Sequence, residues 1–103
     1  MSVVVVATIT PQPEHAQAVR DAVLAAIPEV HAEEGCRRYA LHEAQDGSLV
    51  MIEEWDSAAA LATHGKGEAL AGLSGQLEGK LAGAPQLQVL TAIPAGDDGK
   101  GAL

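Results

Sequence analysis

The sequence predicts an α+β domain in the order β-α-β-β-α-β. Three observations point to it. A β-branched run, VVVVATI, opens the chain, and an Asp-Gly turn separates two further strand-like stretches at 36–43 and 49–55. Apolar residues at helical spacing fill the segments after the first and third strands.

Residues 3–9, VVVVATI, read as a strand covered on both faces, since a strand with one wet face alternates apolar and polar residues. Thr10-Pro11 ends it. The stretch PEHAQAVRDAVLAAIPEVHAEE is helical in period: Ala16, Val19, Val23, Ala26, Ile27 and Val30 share a face, with Arg20, Asp21 and Glu29 opposite. Pro28 lies inside the pattern and is expected to kink the helix or divide it, and Gly35 stops it. CRRYALHE, 36–43, and LVMIEEW, 49–55, form a hairpin around Gln45-Asp46-Gly47-Ser48. Asp56 or Ser57 caps a helix over 58–64, which Gly65 and Gly67 end. A further helix is predicted over 68–82, with Leu70, Leu73, Leu77 and Leu81 in register. Gly72, Gly75 and Gly79 each weaken it by about 1 kcal/mol relative to Ala. QLQVLTAI, 86–93, is the fourth strand. One domain thus spans 1–93, and the polar, Gly-rich 94–103 is a flexible tail. The order is that of the split-βαβ, ferredoxin-like fold, a four-stranded antiparallel sheet with helices on one face. Because VVVVATI calls for cover on both faces, the bare face is expected to pack against that of a second copy, giving a homodimer.

The chain has 103 residues, 48% of them hydrophobic but only 2% aromatic, so Val, Leu, Ile and Ala must build the core. A net charge of −8, from 14 acidic and 6 basic residues, argues against nucleic acid and anionic membranes as partners. Cys36 is the single cysteine, which excludes an internal disulfide and fits a cytoplasmic location. The first residues lack the basic region of a signal peptide. No segment reaches the roughly 20 apolar residues that span a bilayer.

In LVMIEEW, alternation puts Leu49, Met51, Glu53 and Trp55 on one face. If that face is covered, Glu53 is a buried carboxylate that must be paired, hydrogen-bonded or protonated. His64, nine residues past Trp55, ends the next helix and can fold back over the strand; imidazole moves protons near neutral pH. Tyr39 on the adjacent strand offers a hydroxyl and an aromatic face. These residues line one wall of a pocket for a flat organic molecule in this reading. Each also has a structural reading: Trp55 and Tyr39 as core, His64 as a partner of its own helix end, and Glu53 in an ion pair with Arg37 or Arg38. His15, His31 and His42 read as surface residues and Cys36 as an inert thiol. No H-x-x-x-H, C-x-x-C, G-x-G-x-x-G or G-x-S-x-G is present, so no metal or dinucleotide site is indicated. GKGEAL at 65–70 lacks the spacing and preceding strand of a phosphate loop.

EEGCRRYAL followed by VMIEEWDSAAALATH resembles the antibiotic-biosynthesis monooxygenase family, especially its small quinol monooxygenases, over about residues 3–93. The family pattern falls here on Glu34, Gly35, Cys36, Tyr39, Glu53, Trp55 and His64. The resemblance implies a face-to-face dimeric α/β barrel with a pocket between sheet and helices. It also implies oxygenation of phenols or quinols by dioxygen without metal, flavin or haem. On that basis His64 is the candidate base or proton shuttle, Trp55 and Tyr39 position the ring, and Glu53 orients an imidazole or hydroxyl. The chain departs from the haem-degrading branch: it has no Asn, and Ser74 stands where that branch has its axial His. Met51, four residues before Trp55, replaces the Asn of the polyketide-oxidising branch. Two other functions fit the scaffold: a non-oxidative isomerase of a small carbonyl compound, and a ligand-binding dimer without turnover. A broad apolar slot favours aromatics, whereas a small pocket containing Arg37 or Arg38 favours an anionic substrate.

Overall fold

The computed structural model describes residues 2–103; Met1, where the predicted domain begins, lies outside them. The elements are β1 (Val3–Ile9), α1 (Ala16–His31), β2 (Cys36–Glu43), β3 (Leu49–Trp55), α2 (Ala58–Gly65), α3 (Glu68–Leu77) and β4 (Gln86–Leu90). A single 3-10 turn, Pro13–His15, leads into α1. The strands form one antiparallel sheet in the order β2-β3-β1-β4, the ferredoxin-like topology.

The β-branched run is central, hydrogen-bonded to β3 on one side and β4 on the other. Val5, Ala7 and Ile9 point to the helices and pack with Val19, Val23 and Val30 of α1. Leu73 and Leu77 of α3 and Met51 of β3 complete the core. The other face carries Val4, Val6, Thr8, Ile52 and Leu90 and has no helix over it; Val6 and Ile52, paired across the strands, are half-buried. No helix among the described residues is long and apolar enough to cross a membrane.

Two helix expectations need correction. Pro28 neither divides α1 nor ends it. A proline removes the hydrogen bond to the carbonyl four residues earlier, that of Leu24. Pro28 and Leu24 both lie on the solvent side, where a carbonyl without a helix partner is open to water. Within the predicted apolar face, Ala16 is exposed and Ile27 only half-buried.

The last helix ends at Leu77 rather than 82, with Gly79 in the left-handed region at φ 76°. Leu81 instead bridges to Pro11, and Ala82 N–H donates to the Thr10 carbonyl. That short bridge ties the end of β1 to the approach of β4. β4 stops at Leu90, opposite Val4, because β1 has almost no strand left to pair with it.

Candidate functional site

Strand alternation in β3 turns Met51, Glu53 and Trp55 toward the helices, as expected for two-residue periodicity. Trp55 is fully buried, and its indole N–H donates to Glu53 Oε1 at 2.9 Å. The chain then leaves the sheet. Ser57 caps α2, its hydroxyl accepting the Ala60 N–H at 3.1 Å. Two turns of helix carry His64 back over the strand end. Its ring stacks on Trp55 with centroids 4.4 Å apart and planes inclined by 30°. Tyr39, directly opposite Glu53 in the β2–β3 register, meets the imidazole edge-on at 5.7 Å.

The four residues singled out from the sequence thus converge. A fifth joins them: Glu33, in the turn after α1, places Oε1 2.8 Å from His64 Nδ1. Nothing in the sequence singles it out, because no short-range pattern signals a contact across 31 residues. The nearby Gly35 is conformationally required. Its φ is 85°, and a Cβ there would stand 2.6 Å from Ala60 Cβ, so α2 presses directly on this turn.

A cavity of 410 Å³ lies between the sheet and the helices α2 and α3. Its walls are mainly aliphatic, from Val5 and Met51 of the sheet to Leu70 and Leu73 of α3. The polar side chains on the wall are Tyr39, Glu53, His64 and Ser74. No Lys or Arg lines it. Leu87 and Val89 of β4 flank it and remain 65% and 62% exposed. Trp55, expected on the wall, instead backs His64 and Glu53 from behind.

The ion pair considered for Glu53 does not form. Arg37 reaches Asp56 and Glu54, on the far side of the strand, and Arg38 is exposed. His31 and His42 are exposed and bond main-chain carbonyls, those of Tyr39 and Ala40. His15 is half-buried at the 3-10 turn. Among the described residues, no group of three or more His, Cys, Asp or Glu is placed to hold a metal ion.

Burial pushes the Glu53 carboxyl above its ordinary value; the Trp55 hydrogen bond and, when the imidazole is protonated, the charge of His64 oppose the shift, and Glu33 adds to it. Burial, then the charges of Glu53 and Glu33, push the Tyr39 phenol up, so at neutral pH it is a hydrogen-bond donor and not a base. Burial and Glu33 likewise raise the Cys36 thiol and hold it in its unreactive form. His64 Nε2 stands 4.0 Å from Glu53 Oε1. That is too far for a direct hydrogen bond, yet a ligand hydroxyl placed between them sits about 2.8 Å from both. The cavity therefore offers a proton acceptor, a buried carboxyl and a phenolic donor around an otherwise aliphatic space.

Comparison with known proteins bears on the fold and the family. Residues 2–72 match the family model described as "Antibiotic biosynthesis monooxygenase". The "Putative monooxygenase Rv0793" of Mycobacterium tuberculosis is 41% identical over 63 residues, which are 60% of this chain and 62% of that protein. Its solved structure superposes with a TM-score of 0.87 at 31% identity, covering 94% of this chain and all of that one. The structure of PA3566 from Pseudomonas aeruginosa gives 0.82, also at 31% identity, over 89% of this chain and 94% of its own. With the family model spanning well over half of the residues and the fold shared with these structures, the chain belongs to the antibiotic biosynthesis monooxygenase family.

Proposed function

We propose that this protein oxygenates a quinol or hydroxylated aromatic with dioxygen, using no metal, flavin or haem. The balance closes on the substrate alone: quinol plus dioxygen gives hydroxyquinone plus water. One oxygen atom bonds to a ring carbon, the other leaves as water, and the substrate supplies all four electrons.

His64 Nε2 removes a phenolic proton. The electron-rich phenolate passes one electron to triplet dioxygen, and the two radicals combine into a ring peroxide anion. Loss of the ring C–H proton and cleavage of the O–O bond then release water, to which the imidazolium returns its proton. Glu53 and Tyr39 hold the substrate oxygens, and Trp55 supports the imidazole from behind. Trp55 thus orients the ring through His64 rather than by touching it.

One observation carries the reading: His64, Glu53 and Tyr39 all line a 410 Å³, mainly aliphatic cavity that has no Lys or Arg in its wall. A flat, uncharged ring suits it. An isomerase of a small anionic carbonyl compound would be better served by Arg37 or Arg38 in the wall, and neither lies there. In the same reading the protein is cytoplasmic and works as a homodimer, two copies covering each other's bare sheet faces as a dimeric α/β barrel.

Oxygen uptake by metal-depleted protein across a panel of quinols tests the proposal. Uptake is expected above the spontaneous rate, with His64→Ala slower by on the order of 10²-fold to 10⁴-fold. Trp55→Ala should also lose activity, at a stability cost of about 3–5 kcal/mol, so its fold is to be checked by circular dichroism. A panel in which every quinol disappears no faster than in buffer overturns the reading.

A further inference from the structure

We infer that Glu33 is the positioning residue of the site: it keeps the His64 proton on Nδ1 and so leaves Nε2 as a free lone pair. The inference rests on His64 being the base of the proposed reaction.

A neutral imidazole carries one proton, and its partner decides which nitrogen holds it. An ionised carboxylate only accepts hydrogen bonds. The 2.8 Å contact between Glu33 Oε1 and Nδ1 therefore requires the proton on Nδ1. Glu53 does not compete for it. Its Oε1 already accepts the Trp55 indole and stands 4.0 Å from Nε2, beyond hydrogen-bond reach. Among the described residues, no fully enclosed side-chain nitrogen or oxygen lacks a partner. Nε2 makes no hydrogen bond within the protein and is not fully enclosed, and His64 lines the cavity.

The surroundings hold this geometry. Trp55 covers one face of the imidazole and Tyr39 meets it edge-on, so the ring cannot turn over without displacing an aromatic neighbour. Glu33 is anchored by its own main chain, its N–H donating to the Val30 carbonyl and its carbonyl accepting from Cys36 N–H. The Glu33 side chain is 23% exposed, so this carboxylate, unlike that of Glu53, keeps contact with water. With the Glu33 carboxylate gone, the proton is free to move to Nε2 and point at Glu53, where it blocks the base.

Glu33→Gln is the test, because the amide keeps the shape but loses the charge that demands a proton on Nδ1, and its –NH2 can donate to Nδ1. Nitrogen NMR of the His64 imidazole should show the Nδ1–H form in the wild type and the Nε2–H form in Glu33→Gln. With a quinol that the wild type turns over, kcat should fall by on the order of 10²-fold or more, the direction taken when the orienting carboxylate of a catalytic triad becomes an amide. KM should change far less. Glu33→Asp, which keeps the charge, should retain the Nδ1–H signature and more of the kcat. An Nε2–H wild type, or a tautomer unchanged in Glu33→Gln, overturns the inference, and so does a loss confined to KM. A wild type with the expected tautomer exchange but no oxygen uptake supports the positioning role and removes only the proposed oxygenation.

Discussion

Glu53 is 4% exposed, with one carboxylate oxygen on the Trp55 indole, and its burial works against ionisation. A carboxyl raised in the folded state favours folding when protonated. That contribution is complete below the ordinary carboxyl value and is lost as pH rises through the raised one. Glu53→Gln keeps an acceptor for the indole and removes the charge. The variant should therefore melt above the wild type at ~pH 8, with the gap closing toward about pH 4, where glutamates are largely protonated. Thermal melts across that range check it; a gap that widens in acid contradicts it. At this scale the sequence was informative where chemistry and short-range periodicity coincide. Strand alternation puts Glu53 and Trp55 side by side, and two turns of α2 bring back His64. Glu33 could not be read, because its contact depends on how the turn after α1 meets α2.

The strands were legible because β-branched and aromatic residues mark them: β1, β2 and β3 run over the residues expected. Helix ends were less so. Pro28 acts by the exposure of the Leu24 carbonyl, which depends on packing, and α3 yields at Gly79 to a bridge between Pro11 and Leu81. The glycines separate into two kinds. At Gly72 a Cβ would meet nothing within 4 Å, so Gly72→Ala should stabilise by about 1 kcal/mol through helix propensity. Gly35→Ala should destabilise. The left-handed backbone alone costs roughly 1–2 kcal/mol, and the clash with Ala60 pushes α2, with His64, off the sheet. Urea denaturation separates the two signs. A neutral Gly35→Ala would mean that α2 does not press on the turn.

Across the whole molecule, the ferredoxin-like order followed from counting strands and helices, but the cavity did not. Its volume and its opening beside β4 depend on where α3 stops and how the 82–85 segment runs, and local periodicity encodes neither. The helix-free sheet face was foreseen from the β-branched run. Val6 and Ile52 lie there without a helix above them, and a second copy would remove them from water. Light scattering at micromolar concentration should give the dimer mass, and Ile52→Lys should shift it toward the monomer. A wild-type monomer would contradict face-to-face packing.

Oxygenation within the cavity is tested most directly with isotopically heavy dioxygen and a turned-over quinol. Mass spectrometry should find one heavy atom in the hydroxyquinone and the other in water, at one dioxygen per product, with the enzymatic share cut in His64→Ala by on the order of 10²-fold or more. Product without heavy oxygen, with hydrogen peroxide in its place, would show that electrons leave the substrate but no oxygen enters it, and would contradict the proposed monooxygenation.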